Sequence, residues 1–270
     1  MPFANLHNFK LFYESFGEGE PLILVAGFAS GAWIWFKQID ELSKHFRVIT
    51  FDPRGISKSV IDSSLTVSIQ LIADDIASLL DELKITKANI LGTSFGGFVA
   101  QEFALKYPER LNKLVLACTS FGGKNHVAPS IEVLMAFAST ENLNSLDRVR
   151  KYMIPAFTSE FVKNNAAEVD KVCNLREQNI VPEIVYFQQL QSATIFDAES
   201  RIANISAETL ILTGDKDGVV PMQNSKNLAE TIPNSSLEII ENGSHLFFIE
   251  KADEFYRIVK DFIFSPKSKI

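Results

Sequence analysis

Ser94 stands in Gly92-Thr93-Ser94-Phe95-Gly96, after an apolar stretch (Ala88-Asn89-Ile90-Leu91) and before residues of helical period (Phe98, Val99, Glu102, Phe103). A turn that lifts a side chain off the end of a strand needs a strained backbone and little bulk two residues to either side, which Gly92 and Gly96 supply. The hydroxyl then sits at a helix N-terminus, where free N–H groups and the helix dipole favour developing negative charge. Serine is a poor nucleophile near neutral pH. It needs a histidine base, and the histidine needs a carboxylate to hold its tautomer. Of the four histidines, His7, His45 and His126 lie away from the C-terminal ends of the strand-like segments, whereas His245, in Asn242-Gly243-Ser244-His245, follows the last of them. Two carboxylates, Asp215 and Asp217, follow the strand-like Thr209-Leu210-Ile211-Leu212-Thr213, and both are candidates. Together these groups can perform acyl transfer through a covalent serine intermediate.

Such residues must be held by strands. Short, nearly continuous apolar runs at 22–25, 47–51, 88–91 and 111–117 alternate with segments of helical period, the pattern of a parallel sheet covered on both faces. Residues 10–16 alternate more and suit an antiparallel edge strand. Apolar residues from Val67 to Leu83 recur every three to five positions, so 66–83 predicts an amphipathic helix with Asp74, Asp75, Asp81 and Glu82 toward water. Beyond Thr119 the alternation stops. Residues 130–139, 145–153, 159–177 and 183–196 all look helical, several with Ser or Thr near their starts as caps. Strands are expected again at 209–213 and 237–240, with helices at 222–231 and 252–264. The expected division is an α/β core of residues 1–120 and 207–270, with a helical cap, 121–206, inserted between its halves.

Composition bounds the partners. The 270 residues are 46% hydrophobic and 22% charged, enough for a sizeable core. Twenty-six basic against 33 acidic residues give a net charge of −7, the wrong sign for phosphate backbones, so no nucleic-acid partner is expected. Two cysteines, Cys118 and Cys173, without CxxC spacing, indicate neither a disulfide framework nor a zinc site. No signal peptide or membrane-length apolar run is read, and the expectation is a soluble cytoplasmic protein, monomer or homodimer, acting on a small molecule without a cofactor. There is no HExxH, dinucleotide fingerprint or Walker loop.

From about Lys10 to Phe264 the chain resembles the α/β-hydrolase superfamily, carried by the Gly-x-Ser-x-Gly turn and the order Ser, Asp, His. The resemblance implies an α/β fold with a mostly parallel central sheet flanked by helices. The family's acid usually falls three residues after the glycine that ends the strand, ahead of an apolar pair and a proline. This selects Asp217 (Gly214, then Val219-Val220-Pro221), with Asp215 left to cap the loop. It also implies an oxyanion hole from the backbone N–H of Phe95 and of Phe28, the latter in Ala26-Gly27-Phe28-Ala29-Ser30, where the family commonly has His-Gly in place of Ala26-Gly27. Asp52-Pro53-Arg54-Gly55-Ile56-Ser57-Lys58-Ser59 is similar to a structural turn of the family, in which Asp52 and Arg54 are expected to pair. Phe28, Phe95 and Phe247 are expected to line an apolar pocket, Trp33 and Trp35 to pack against the sheet, and Cys118 to be a small buried apolar group. The activity implied is hydrolysis of a small carboxylic ester by Ser94, His245 and Asp217. A lactone or a carbon–carbon bond is the alternative substrate, and a ligand-binding receptor that retains the triad is the alternative of another class. Turnover on an ester panel discriminates an enzyme from a receptor, which would show ligand-induced stabilisation alone.

Overall fold

The computed structural model describes residues 3–6, 9–62, 66–138, 145–179 and 181–266; His7 and the end of the predicted helix at Ser139 lie outside them. Eight strands form one sheet: β1 (Phe3–Asn5), β2 (Lys10–Phe16), β3 (Glu20–Val25), β4 (Phe46–Phe51), β5 (Ala88–Thr93), β6 (Leu111–Ala117), β7 (Glu208–Gly214) and β8 (Ser235–Ile240). Their order is β1-β2-β4-β3-β5-β6-β7-β8. The first two pairings are antiparallel and all the others parallel. Residues 10–16 are thus antiparallel as expected but are not the edge. The three-residue β1 lies outside them, too short for a periodic signal.

Helices α1 (Ile39–Leu42), α2 (Ile69–Glu82) and α3 (Phe95–Lys106) accompany the first half of the sheet. Between β6 and β7 come α4 (Ile131–Ala138), α5 (Ser145–Met153), α6 (Ser159–Asn164), α7 (Ala166–Gln178) and α8 (Glu183–Ile195). Then α9 (Gln223–Thr231) precedes β8, and α10 (Phe247–Glu250) and α11 (Ala252–Phe264) follow it. The helix predicted over 159–177 is two, broken at Asn165, whose φ of −130° and ψ of 40° leave the helical region.

Because side chains alternate along a strand, each central strand feeds two cores. Ile23, Val25, Ile49 and Ile90 join α2 and α3 on one face. Leu22, Leu24, Val48 and Leu91 join Trp35 and α11 on the other. Each such side chain, wholly removed from water, contributes about 1.5–3 kcal/mol.

Two expectations fail on α2 and the turn after β4. Asp75 does not face water: it is buried and takes both the Nε (2.7 Å) and Nη2 (2.5 Å) donors of Arg54. Asp52 therefore does not pair with Arg54. Its two oxygens accept instead from the N–H groups of Ala32 (2.8 Å) and Lys58 (3.1 Å), so it ties the turn after β4 to the segment after β3. A planar guanidinium meets a carboxylate best through two parallel bonds, and Asp75 offers that fork. Trp35 is fully buried against Phe248 as expected, in a single 3-10 turn over Ala32–Trp35.

Candidate active site

Ser94 links β5 to α3 with φ 52° and ψ −119°, which an L-residue adopts only under constraint. The constraint is visible. Its N–H donates to Ala117 O (2.9 Å), and its carbonyl accepts from Gly97 N–H (2.8 Å) and Thr119 Oγ1 (2.8 Å). A Cβ on Gly92 would fall 2.3 Å from Gly96 O, and one on Gly96 would fall 2.2 Å from Val25 O. Neither position has room for a side chain.

In a parallel array, β5, β6, β7 and β8 present their C-terminal ends at one edge, with strands about 4.8 Å apart. The loop after β7 carries Asp217 and the loop after β8 carries His245. The structure brings these two together: His245 Nδ1 lies 2.9 Å from Asp217 Oδ2, with Asp217's side chain fully buried and His245's 10% exposed. The other carboxylate oxygen accepts from Val219 N–H (2.9 Å) and Val220 N–H (2.8 Å). An ionised carboxylate only accepts, so Nδ1 carries the hydrogen and Nε2 is left as the ring's acceptor. Asp215 instead faces Lys216 Nζ at 3.3 Å. The two loops touch, with Lys216 N–H donating to Gly243 O (2.9 Å).

Cys118, at the end of β6, lies between the nucleophile turn and the acid. Burial raises its thiol pKa well above the usual value and the charge of Asp217 adds to this, while a backbone hydrogen bond from Ser94 opposes it. The thiol stays protonated, as befits a small buried apolar group.

The segment after β3 borders Ser94 directly, since a Cβ on Gly27 would lie 3.4 Å from Ser94 Cβ. The rings of Phe28 and Phe95 meet edge to face at 6.2 Å, and Tyr186 of α8 closes on Phe28 at 4.9 Å. Among the described residues, neither Phe28 N–H nor Phe95 N–H donates to a protein acceptor. Phe247 does not line this cleft. It is fully buried between Phe248 and Phe255, so it offers no surface to a ligand. A recess of about 580 Å³ opens elsewhere, bounded by Lys216, Gly218, Ser244 and residues of α4 and α6, and Ser94 does not line it.

Three residues were not singled out from the sequence. Glu250 accepts from Ser244 N–H (2.7 Å) and Thr158 N–H (2.5 Å), fastening the His245 loop to the start of α6. Gln189 of α8 accepts through Oε1 from Ala29 N–H (2.8 Å). Arg176 of α7 has an Nη1 that is sealed from solvent and without a hydrogen-bond partner among the described residues. Burial pulls its guanidinium below the usual pKa, and nearby Tyr186 opposes the shift. Among the described residues no three His, Cys, Asp or Glu side chains gather as metal ligands would, and no helix is long and apolar enough to cross a membrane.

A mostly parallel sheet with a serine at a strained strand-to-helix turn, and a hydrogen-bonded Asp and His on the loops two and three strands away, defines the class of α/β hydrolases. The chain belongs to the alpha/beta hydrolase fold family, whose model matches residues 20–252. It is similar to the 2-hydroxy-6-oxononadienedioate/2-hydroxy-6-oxononatrienedioate hydrolase 2 of Pseudomonas putida, at 32% identity over 94% of this chain and 91% of that one. It is 30% identical to the poly(3-hydroxyalkanoate) depolymerase of Ectopseudomonas oleovorans, over 90% of this chain and 84% of that one. Among solved structures it is similar to a thermophilic esterase from Thermogutta terrifontis, determined with malate bound, with a TM-score of 0.79, 27% identity and coverage of 94% and 93%.

Proposed function

We propose that the chain is a serine hydrolase that cleaves a small, largely apolar carboxylic ester through an acyl-enzyme on Ser94. The buried 2.9 Å contact between Asp217 and His245 carries this reading, because it leaves Nε2 as a base at the sheet edge where the strained turn raises Ser94. His245 takes the Ser94 proton as Oγ attacks the acyl carbon, and Asp217 steadies the imidazolium. The unpaired N–H groups of Phe28 and Phe95 receive the oxyanion, a service worth about 2.7–4 kcal/mol per donor. His245 then returns the proton to the leaving alkoxide, and water repeats the sequence on the acyl-enzyme to release the acid and free Ser94. The helices of residues 121–206 serve as the cap over this site, with Phe28, Phe95 and Tyr186 as its apolar wall. The depolymerase and esterase relatives support an ester as the bond cleaved. Ser94→Ala abolishes both hydrolysis of a short p-nitrophenyl ester and labelling by a fluorophosphonate; labelling that persists disproves the nucleophile.

One observation favours a second reading, in which the substrate is an acid whose lactone or carbon–carbon bond is opened by the same serine. Arg176 has a guanidinium nitrogen, Nη1, that is desolvated and without a hydrogen-bond partner among the described residues, and its charge is felt by Tyr186, whose ring packs on Phe28. A buried charge without a partner is costly, and a substrate carboxylate relieves that cost. The P. putida relative is named for a dioate, and the esterase was solved with the diacid malate bound.

A further inference from the structure

Helix α8 is fastened to the core by three side-chain acceptors that take backbone donors. Gln188 Oε1 accepts from Val67 N–H (3.1 Å), Ser192 Oγ from Ile69 N–H (3.0 Å) and Gln189 Oε1 from Ala29 N–H (2.8 Å). The first two reach the start of α2 and the residue two before it. The third reaches the turn that borders Ser94. Gln189 is 1% exposed and shares a helical stripe with buried Val185 and Ser192, so its amide is delivered to that turn by packing rather than by chance. The turn needs holding. Ala29 has φ 51°, a left-handed conformation that a non-glycine residue keeps only when its surroundings over-determine it. Within the turn, Ser30 N–H donates to Gly27 O (3.2 Å) and Ser30 Oγ to Phe28 O (3.2 Å). Ala29 N–H would otherwise be a buried donor without an acceptor.

We infer that Gln189 is a positioning residue for the proposed hydrolysis: by holding Ala29 N–H from the cap, it fixes the Gly27–Ala29 backbone so that Phe28 N–H stays free and aimed at the oxyanion. This rests on the reading of Ser94 as nucleophile and of Phe28 as an oxyanion donor. It makes α8 a fixed wall of the site, and it couples cap docking to transition-state binding. A donor displaced by a fraction of an ångström loses its effect on the developing charge while ground-state binding hardly changes.

The test compares Gln189→Met, which keeps length and loses the carbonyl, with Ser192→Ala, which removes a tether that runs to Ile69 and not to the turn beside Ser94. Four quantities are read for each: kcat and KM on a p-nitrophenyl ester, the inhibition constant of a trifluoromethyl ketone, and the thermal midpoint. The ketone adds to the serine as an anionic hemiketal. Gln189→Met is expected to lower kcat on the order of tenfold, less than the 10²–10³ of deleting a donor. KM stays within about twofold, and ketone binding weakens by the same factor as kcat. Ser192→Ala is expected to lower the thermal midpoint to a similar extent while kcat and ketone binding stay within about twofold of wild type. Gln189→Met with wild-type kcat and ketone affinity overturns the inference, and so does an equal loss in both variants. Should Gln189→Met not fold, amide exchange in the wild type reads the same contact: slow exchange at Ala29 N–H supports it, and exchange as fast as an open loop overturns it. Wild-type protein that neither hydrolyses an ester nor takes the fluorophosphonate label sinks the proposed function itself. An active wild type with an indifferent Gln189→Met sinks only the positioning role.

Discussion

Replacing Asp217 with asparagine tests the acid assignment through a single proton. Asp217 Oδ1 accepts two backbone donors, Val219 N–H at 2.9 Å and Val220 N–H at 2.8 Å. An asparagine there must keep its carbonyl oxygen on those donors, since its NH2 would set donor against donor. Its Nδ2 is then forced toward His245 Nδ1, now 2.9 Å from the carboxylate, and becomes a donor to the ring. The imidazole responds by carrying its hydrogen on Nε2, where it cannot accept the Ser94 proton. The fold loses only the difference between a charge-assisted and a neutral hydrogen bond, about 1 kcal/mol, or about 2–4 °C in thermal midpoint for a chain of this size. Catalysis loses the base. A wrong tautomer costs on the order of 10⁴ in kcat, about 5 kcal/mol of barrier. The assay is steady-state hydrolysis of a p-nitrophenyl ester by wild type, Asp217→Asn and Asp215→Asn, each with a thermal melt. Asp215 faces Lys216 rather than the ring, so its variant is expected within about threefold of wild type. An Asp217→Asn enzyme within tenfold of wild type refutes the reasoning, and so does an Asp215→Asn enzyme that takes the larger loss.

Arg54→Met strands a carboxylate that burial already holds above its usual pKa against the pull of Arg54; about 3–5 kcal/mol of stability is lost in chemical denaturation, and adding Asp75→Leu restores most of it. A double variant no better than the single one contradicts the pairing. His126, near the start of the inserted helices and 3.0 Å from Ser120 Oγ through Nδ1, has its pKa lowered from 6.5 by burial. The folded state therefore binds its proton less readily than the unfolded chain, so this contribution is present above about pH 6.5 and is lost as pH falls through the folded value. Thermal midpoints from pH 8 to 5.5 fall less steeply in His126→Gln, and an unchanged slope excludes this residue. Arg176→Met raises KM on the order of tenfold or more for a p-nitrophenyl ester carrying a terminal carboxylate, and leaves KM for a neutral ester of equal length within about twofold; equal effects on both esters exclude a carboxylate contact.

Much of the sheet could be read from the chain because both faces of its central strands are covered. The predicted strand over 111–117 is the one observed, and those at 22–25 and 47–51 are short of it by a residue or two. Short elements escaped for lack of a period: β1 has three residues, and α10 is a single turn made of Phe247–Glu250. That turn also explains why Phe247 does not reach the cleft although it is two residues from His245: the helical turn after the histidine rotates its ring into the core. The pairing of His245 with Asp217 rather than Asp215 came from a family pattern, and no spacing rule could have replaced it. Its physical basis lies in the Val219 and Val220 amides, which exist only once the loop is folded.

Asp75, Gln189 and Arg176 share one signature that is present in the sequence. On α2, Asp75 falls on the stripe of Ile72, Ile76 and Leu79; on α8, Gln189 falls on that of Val185 and Ser192; on α7, Arg176 falls one turn beyond Val169, Val172 and Cys173. Setting Asp75 toward water because it is polar reverses the argument, since the period assigns the face and the polarity then states a requirement. A polar group that folding carries inward must find a partner or destabilise the fold. Asp75 finds Arg54, a bond internal to the scaffold. Gln189 finds Ala29 N–H, a bond between the inserted helices and the turn beside Ser94. For Nη1 of Arg176 the described residues offer none. The first two join elements of the fold to each other, and the third is the unmet requirement on which the proposed carboxylate contact rests. On the proposed reading, polar members of the apolar stripes on α7 and α8 bear on the substrate and the oxyanion, while the serine, histidine and aspartate loops supply chemistry common to many substrates.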